Sequence, residues 1–186
     1  MIQLLSRGGS NIPYHCASAN LFEALDKLRK GSMTAKELIT SVEKSHLTVG
    51  IVVSEQGGAF GPYSDLWACN GPCIIWGPNI WLRTLAAEIT GYRASGSAIF
   101  VRKSTVEYPP EISLIHEIGH MKQYIEDPDQ FAKKVQGLNV DGNKGTAEIE
   151  ADNLRRHENP ICKELGLLQR VKYNDFDIPN GGSFQK

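Results

Sequence analysis

The run SLIHEIGHMKQ, residues 113–123, sets two histidines four apart with a glutamate directly after the first. On a helix, positions i and i+4 share a face about one turn apart. His116 and His120 can therefore send two imidazole nitrogens to a single ion. Glu117 is rotated by about 100° from His116, which suits it poorly as a third ligand but lets it reach a water on the metal. This is the zinc-hydrolase pattern H-E-x-x-H, with the glutamate as general base. The plainer alternative is a pair of core histidines bonded to backbone or carboxylate groups.

A catalytic zinc takes three protein ligands and keeps one position for water. The stretch GTAEIEADNLRRHENP, residues 145–160, is where a third would come from. Glu148 and Asp152 are four apart on one helix face. Glu148 is the expected third ligand, and Asp152 would accept the far N–H of a ligand histidine. Glu150, in a stripe with Ala147, Ala151 and Leu154, is the rival. Both glutamates could instead form a solvated acidic first turn favoured by the helix dipole. Ala151 is small enough to let two helices pack closely. Gly119 leaves room for another backbone, such as a substrate-aligning strand.

These residues need elements to hold them. Pro109-Pro110 can open a helix over 110–126, closed by Asp127-Pro128. Ile112, Leu114, Ile115, Ile118, Met121 and Ile125 surround it on several sides, the mark of a buried helix. Thr146 would cap a second helix to about residue 157. Upstream, Ser18 would cap a helix over 19–30, stopped at Gly31. Thr34 and Glu37 have capping-box spacing for a helix to about residue 45. Residues 47–53, 73–76 and 97–102 read as strands, and 57–62 as a glycine-rich turn. The tail beyond Tyr173 reads as frayed. The expected architecture is α+β in one domain over 1–186. It has a helical part over 1–60, a core over 70–173 with a small mixed or antiparallel sheet against the metal helix, and a tail over 174–186.

Composition bounds the setting. The 186 residues are 41% hydrophobic and 22% charged, ordinary for a globular chain, with a net charge of −1 that leaves no footprint for nucleic acid. No apolar run approaches the roughly 20 residues a membrane span requires. The N-terminal run has too short an apolar stretch for a signal peptide, so a soluble chain is expected. Of the four cysteines, Cys69 and Cys73 flank a turn. They could form a local disulfide, but two thiols packed as small hydrophobes is the plainer reading.

His116-Glu117-x-x-His120 with Glu148-x-x-Ala151-Asp152 resembles the glutamate-liganded zincins, or gluzincins. The run RHENPICKELGL, residues 156–167, followed by Arg170 and Tyr173, is similar to the M91-like metallopeptidases, which are bacterial effector and toxin domains. GPCIIWGP, residues 71–78, resembles the strand such domains carry before the metal helix. The likeness covers roughly residues 70–173. It departs at Glu148-Ile149-Glu150, where the family tends to have adjacent acids and a longer gap to Glu-Asn. The resemblance implies a zincin-like fold. It also implies that Arg170 and Tyr173 stabilise the oxyanion as water adds to a scissile carbonyl, a role that suits a fixed cation and a phenol donor. His157 and His15 could serve instead. His46, after a helix, reads as a surface residue.

Three functions follow as expectations. The first is a Zn2+-dependent endopeptidase exported without a cleaved signal, acting on target-cell proteins and paired with a cognate immunity protein. The second is a regulatory zinc peptidase of the cytoplasm. The third is a non-catalytic interaction module stabilised by zinc. An intact Glu117 weighs against the last, because a purely structural site needs no base.

Overall fold

Ser32 ends one helix and starts another. In the computed structural model, which describes residues 2–5, 14–54, 59–61, 71–94, 98–136 and 144–171, this single residue separates α1 (Tyr14–Gly31) from α2 (Met33–Glu43). The Ser32 hydroxyl accepts from Ala35 N at 2.9 Å, so the cap of α2 is Ser32 rather than Thr34. The hydroxyls of both Ser32 and Thr34 donate to Glu164, each at 2.6 Å. Glu164 thus supplies the acid at the N-terminus of α2 that Glu37 was expected to provide, where the helix dipole favours negative charge. α1 begins four residues before Ser18.

β1 (Ile2–Leu5), β2 (Val49–Val53) and β4 (Cys73–Trp76) are parallel, and β3 (Ala59–Gly61) lies antiparallel along β4, giving the order β1-β2-β4-β3. Every residue of β2 and β4 is buried, as expected of parallel strands covered on both faces. A second sheet has the order β6-β5-β7. It is built from the antiparallel hairpin β5 (Leu82–Tyr92) and β6 (Ala98–Tyr108) with the short β7 (Gln169–Arg170). β5 has no counterpart among the strands expected from the sequence, and β6 runs six residues past the strand expected at 97–102.

The metal-motif helix α3 (Pro110–Glu126) runs as expected, and Pro110 O accepts from Trp76 Nε1 at 2.9 Å, fixing its start to β4. Leu114, Ile115 and Ile118 of α3 are fully buried in one cluster with Leu28, Ile39, Ile51 and Ile74. Asp127-Pro128 does not simply end α3. It opens α4 (Pro128–Gln136), with Asp127 Oδ1 accepting from Gln130 N at 2.9 Å. α5 (Lys144–Asn153) passes into a π-helical turn, Leu154–Glu158, and then α6 (Asn159–Glu164). The result is a mixed α+β fold, in which residues before 60 supply strands as well as helices.

Cys73 is disulfide-bonded, against the reading of packed thiols, while Cys16 and Cys162 are free. Cys69, Tyr173 and the rest of the tail lie outside the described residues. Among those described, no helix is long and apolar enough to cross a membrane.

Candidate metal centre

His116 and His120 project from adjacent turns of α3 with ring centroids 4.6 Å apart. Their Nε2 atoms stand 3.0 Å from each other, and Glu150 Oε2 of α5 lies 3.2 Å from the first and 3.1 Å from the second. All three residues are buried. A tetrahedral zinc with bonds of about 2.0–2.1 Å spaces its donor atoms by about 3.3 Å. The triangle therefore fits such an ion with little adjustment.

The other side of each ring is spoken for. His116 Nδ1 lies 2.6 Å from Oε2 of the fully buried Glu158. His120 Nδ1 lies 2.9 Å from Gln123 Oε1, and Gln123 Nε2 donates to Asp152 Oδ2 and Ile149 O at 2.9 and 3.0 Å. A carboxylate and an amide oxygen can only accept. Each Nδ1 is thereby the protonated nitrogen, and both Nε2 lone pairs face the Glu150 carboxylate. Three acceptors converging within 3.2 Å could hold a metal ion, or share a proton in its place.

Charge agrees with geometry. Among the described residues, the buried carboxylates are Glu117, Glu150 and Glu158, and the buried cation is Arg170. Three acids against one base leave two net negative charges when the histidines are neutral, which a divalent ion balances. Without that ion, a proton takes its place. Burial opposes charging His116, but its hydrogen bonds to Glu150 and Glu158, with the charges of Glu158 and Glu117, raise its pKa to about 10. Burial likewise opposes ionisation of Glu150, yet the bonds from His116 and His120 hold its pKa at about 2. Burial raises the pKa of Glu117, partly offset by the two histidines.

The π turn is what aligns α5 with α3. The Asn159 N–H reaches back five residues to Leu154 O, a wider turn than an α-helix makes. It returns Glu158 to the face that carries Glu150, so both meet His116. Asn153, fully buried between them, donates to His116 O at 2.9 Å. A Cβ at Gly119 would stand 1.9 Å from Asn153 Oδ1. Gly119 thus makes room for a side chain of α5, not for a substrate strand.

Several expectations need correction. Glu148, the expected third ligand, points to solvent, with its side chain 68% exposed and 3.5 Å from Lys134. Glu150 takes its place beside the histidines, because it is Glu150, Asn153 and the π turn that face α3. Ala151 is exposed, so it does not lie buried between the two helices as expected. Asp152 acts one residue further out, through Gln123. Arg170 is 1% exposed, and its Nε lies 3.0 Å from Glu158 Oε1 at an angle that falls short of a hydrogen bond. Its position favours holding Glu158 over facing solvent. His157 is buried on the side of Lys122 and Glu126, and His46 is exposed. Glu158 and Gln123 were not singled out from the sequence. Gln123 follows His120 by three, the one local signal available.

Comparison of the chain with protein-family models, with curated proteins and with solved structures found no match. The resemblance to the M91-like metallopeptidases is carried by the sequence runs alone.

Proposed function

We propose that the chain is a zinc-dependent metallopeptidase whose centre is His116, His120 and Glu150, with Glu117 as general base. The observation that carries this reading is the triangle of two Nε2 atoms and one carboxylate oxygen, beside the buried acid Glu117. A His-His-Glu set suits zinc, and three ligands suit a catalytic site better than a structural one, which closes with four.

An ion bound there would polarise a carbonyl and acidify a water. Glu117 would take the water's proton and deliver it to the leaving amine. Burial makes Glu117 a stronger base than a solvated carboxylate. Glu158 and Gln123 keep each ligand ring in one tautomer, and Arg170 keeps Glu158 ionised against its burial. Tyr173 retains its expected part as an oxyanion donor only through the family resemblance, which also supports the effector or toxin setting over a regulatory peptidase of the cytoplasm.

The test is Glu117→Gln. It should bind one zinc per chain, measured by elemental analysis, and fail to cleave a denatured protein substrate that the wild type cuts. Cleavage at the wild-type rate would remove Glu117 as the base. Wild-type protein that binds zinc and cleaves nothing would favour the interaction module.

A further inference from the structure

Exposed apolar side chains are concentrated on one element. Five of the seven large ones among the described residues, Trp81, Tyr92, Ile99, Phe100 and Val101, lie on the β5–β6 hairpin or at its root, and Val101 is 72% exposed. β6 is also the outer strand of its sheet, eleven residues long, with no strand beyond it among the described residues. An edge of that length, uncovered by any strand among the described residues, is a template for another strand.

Charge selects the occupant. At the base of the hairpin Arg83 and Glu107 oppose each other in register and neutralise locally. The distal half carries Arg93, Arg102 and Lys103 against Glu88, all exposed. Among the described residues no acidic side chain pairs with those three cations, and Lys103 Nζ lies 4.5 Å over the Phe100 ring. The strip is therefore basic on a chain whose net charge is −1. A second copy is a poor fit, because antiparallel self-pairing centred here sets Arg102 and Lys103 against their own equivalents, and like charges opposed across strands are destabilising.

The hairpin is also tied to the metal centre. β6 leads through Pro109 directly into α3, and the Ile89 N–H donates to Gln169 Oε1 at 3.1 Å, next to Arg170. Tyr92 Oη accepts from Asn159 Nδ2 at 3.4 Å, next to Glu158.

We infer that the outer edge of β6 binds an extended acidic polypeptide segment that alternates apolar and carboxylate residues, adding it as a strand. Calling that segment substrate rests on the peptidase reading; the docking itself does not. Binding is measured on the full-length Glu117→Gln chain with two synthetic twelve-residue peptides. They share apolar positions and carry Glu or Lys between them.

The acidic peptide should bind in the micromolar range, more weakly as salt is raised, and the basic one should not. N-methylation of alternate amides in the acidic peptide should abolish binding. The doubly substituted chain Arg102→Glu, Lys103→Glu should lose affinity roughly tenfold or more while keeping its circular dichroism spectrum and zinc content. The proposal is overturned by any of four results: equal binding to the doubly substituted chain, indifference to N-methylation, tighter binding of a single-stranded oligonucleotide, or a dimer in sedimentation that the double substitution dissociates. Acidic-peptide binding by a wild-type chain that cuts nothing would uphold the docking edge and remove the peptidase reading, so the two fail separately.

Discussion

His116 Nδ1 and Glu158 Oε2 lie 2.6 Å apart across 42 residues of chain, both closed to solvent. Glu158 in turn faces Arg170, so a buried cation, a carboxylate and an imidazole stand in line behind one ligand nitrogen. Glu158→Gln should weaken zinc binding by roughly 10- to 100-fold. It should also destabilise the fold by about 3 kcal/mol, because the buried Arg170 loses the carboxylate it faces. Adding Arg170→Met should restore much of the stability and none of the metal affinity. Denaturation together with zinc titration separates the two effects, and recovery of both would assign Glu158 a purely structural role.

The two glutamates of α5 should part company. Glu150→Gln is expected to abolish stoichiometric zinc, since an amide cannot offer a charged oxygen to the His116 and His120 nitrogens. Glu148→Gln should leave zinc content and stability within about 0.5 kcal/mol of wild type, as for other surface changes. Elemental analysis of both variants decides, and loss of metal from Glu148→Gln would contradict the geometry.

Gly119→Ala should cost about 2 kcal/mol or more, because its methyl would overlap the Asn153 side chain. The clash sits between the helices that carry the ligands, so zinc affinity should fall with stability. Asn153→Ala in the same chain should relieve the overlap. A double variant no more stable than Gly119→Ala alone would place the cost elsewhere.

Zinc binding should release a proton at pH 7. The metal-free centre holds one on His116, whose pKa is raised to about 10, and the ion must displace it. Affinity should accordingly rise about tenfold per pH unit across the neutral range. Calorimetry in buffers of differing ionisation enthalpy measures the proton count, and a count of zero would mean that His116 is neutral before zinc arrives.

His157 supplies a separate pH dependence. Burial, with Arg156 beside it, lowers its pKa to about 4, and its Nε2 has no hydrogen-bond partner. The unfolded chain, with an ordinary histidine pKa near 6.5, binds the proton more readily between those values. Folding stability should therefore be unaffected by His157 above about pH 6.5 and decline as pH falls from there toward 4, by on the order of 3 kcal/mol. His157→Phe should flatten that part of the stability profile relative to wild type; an unchanged slope would assign the acid sensitivity to other groups.

The elements whose patterns are local were legible in the amino-acid order. Residues 110–126 carry a proline start and an apolar surround, and 73–76 form a short apolar run, so both could be bounded closely. His116, His120 and the adjacent Glu117 were equally plain, because an i, i+4 pair on one helix needs only the helix to exist. β5 escaped because its apolar residues do not alternate cleanly, and α4 because Asp-Pro signals a start as readily as a stop. Whether Glu148 or Glu150 joins the two histidines could not be read from the sequence. Glu148 and Glu150 differ by two positions on α5, and which of them faces α3 depends on how that helix is rotated against its neighbour. Asn153 seated on Gly119, and a π turn that brings Glu158 round behind His116, set that rotation. Helical periodicity acts within one segment, so sequence alone placed His116, Glu117 and His120 together on α3. Close packing between segments far apart in the chain brought Glu150 to the two histidines and enclosed the cluster.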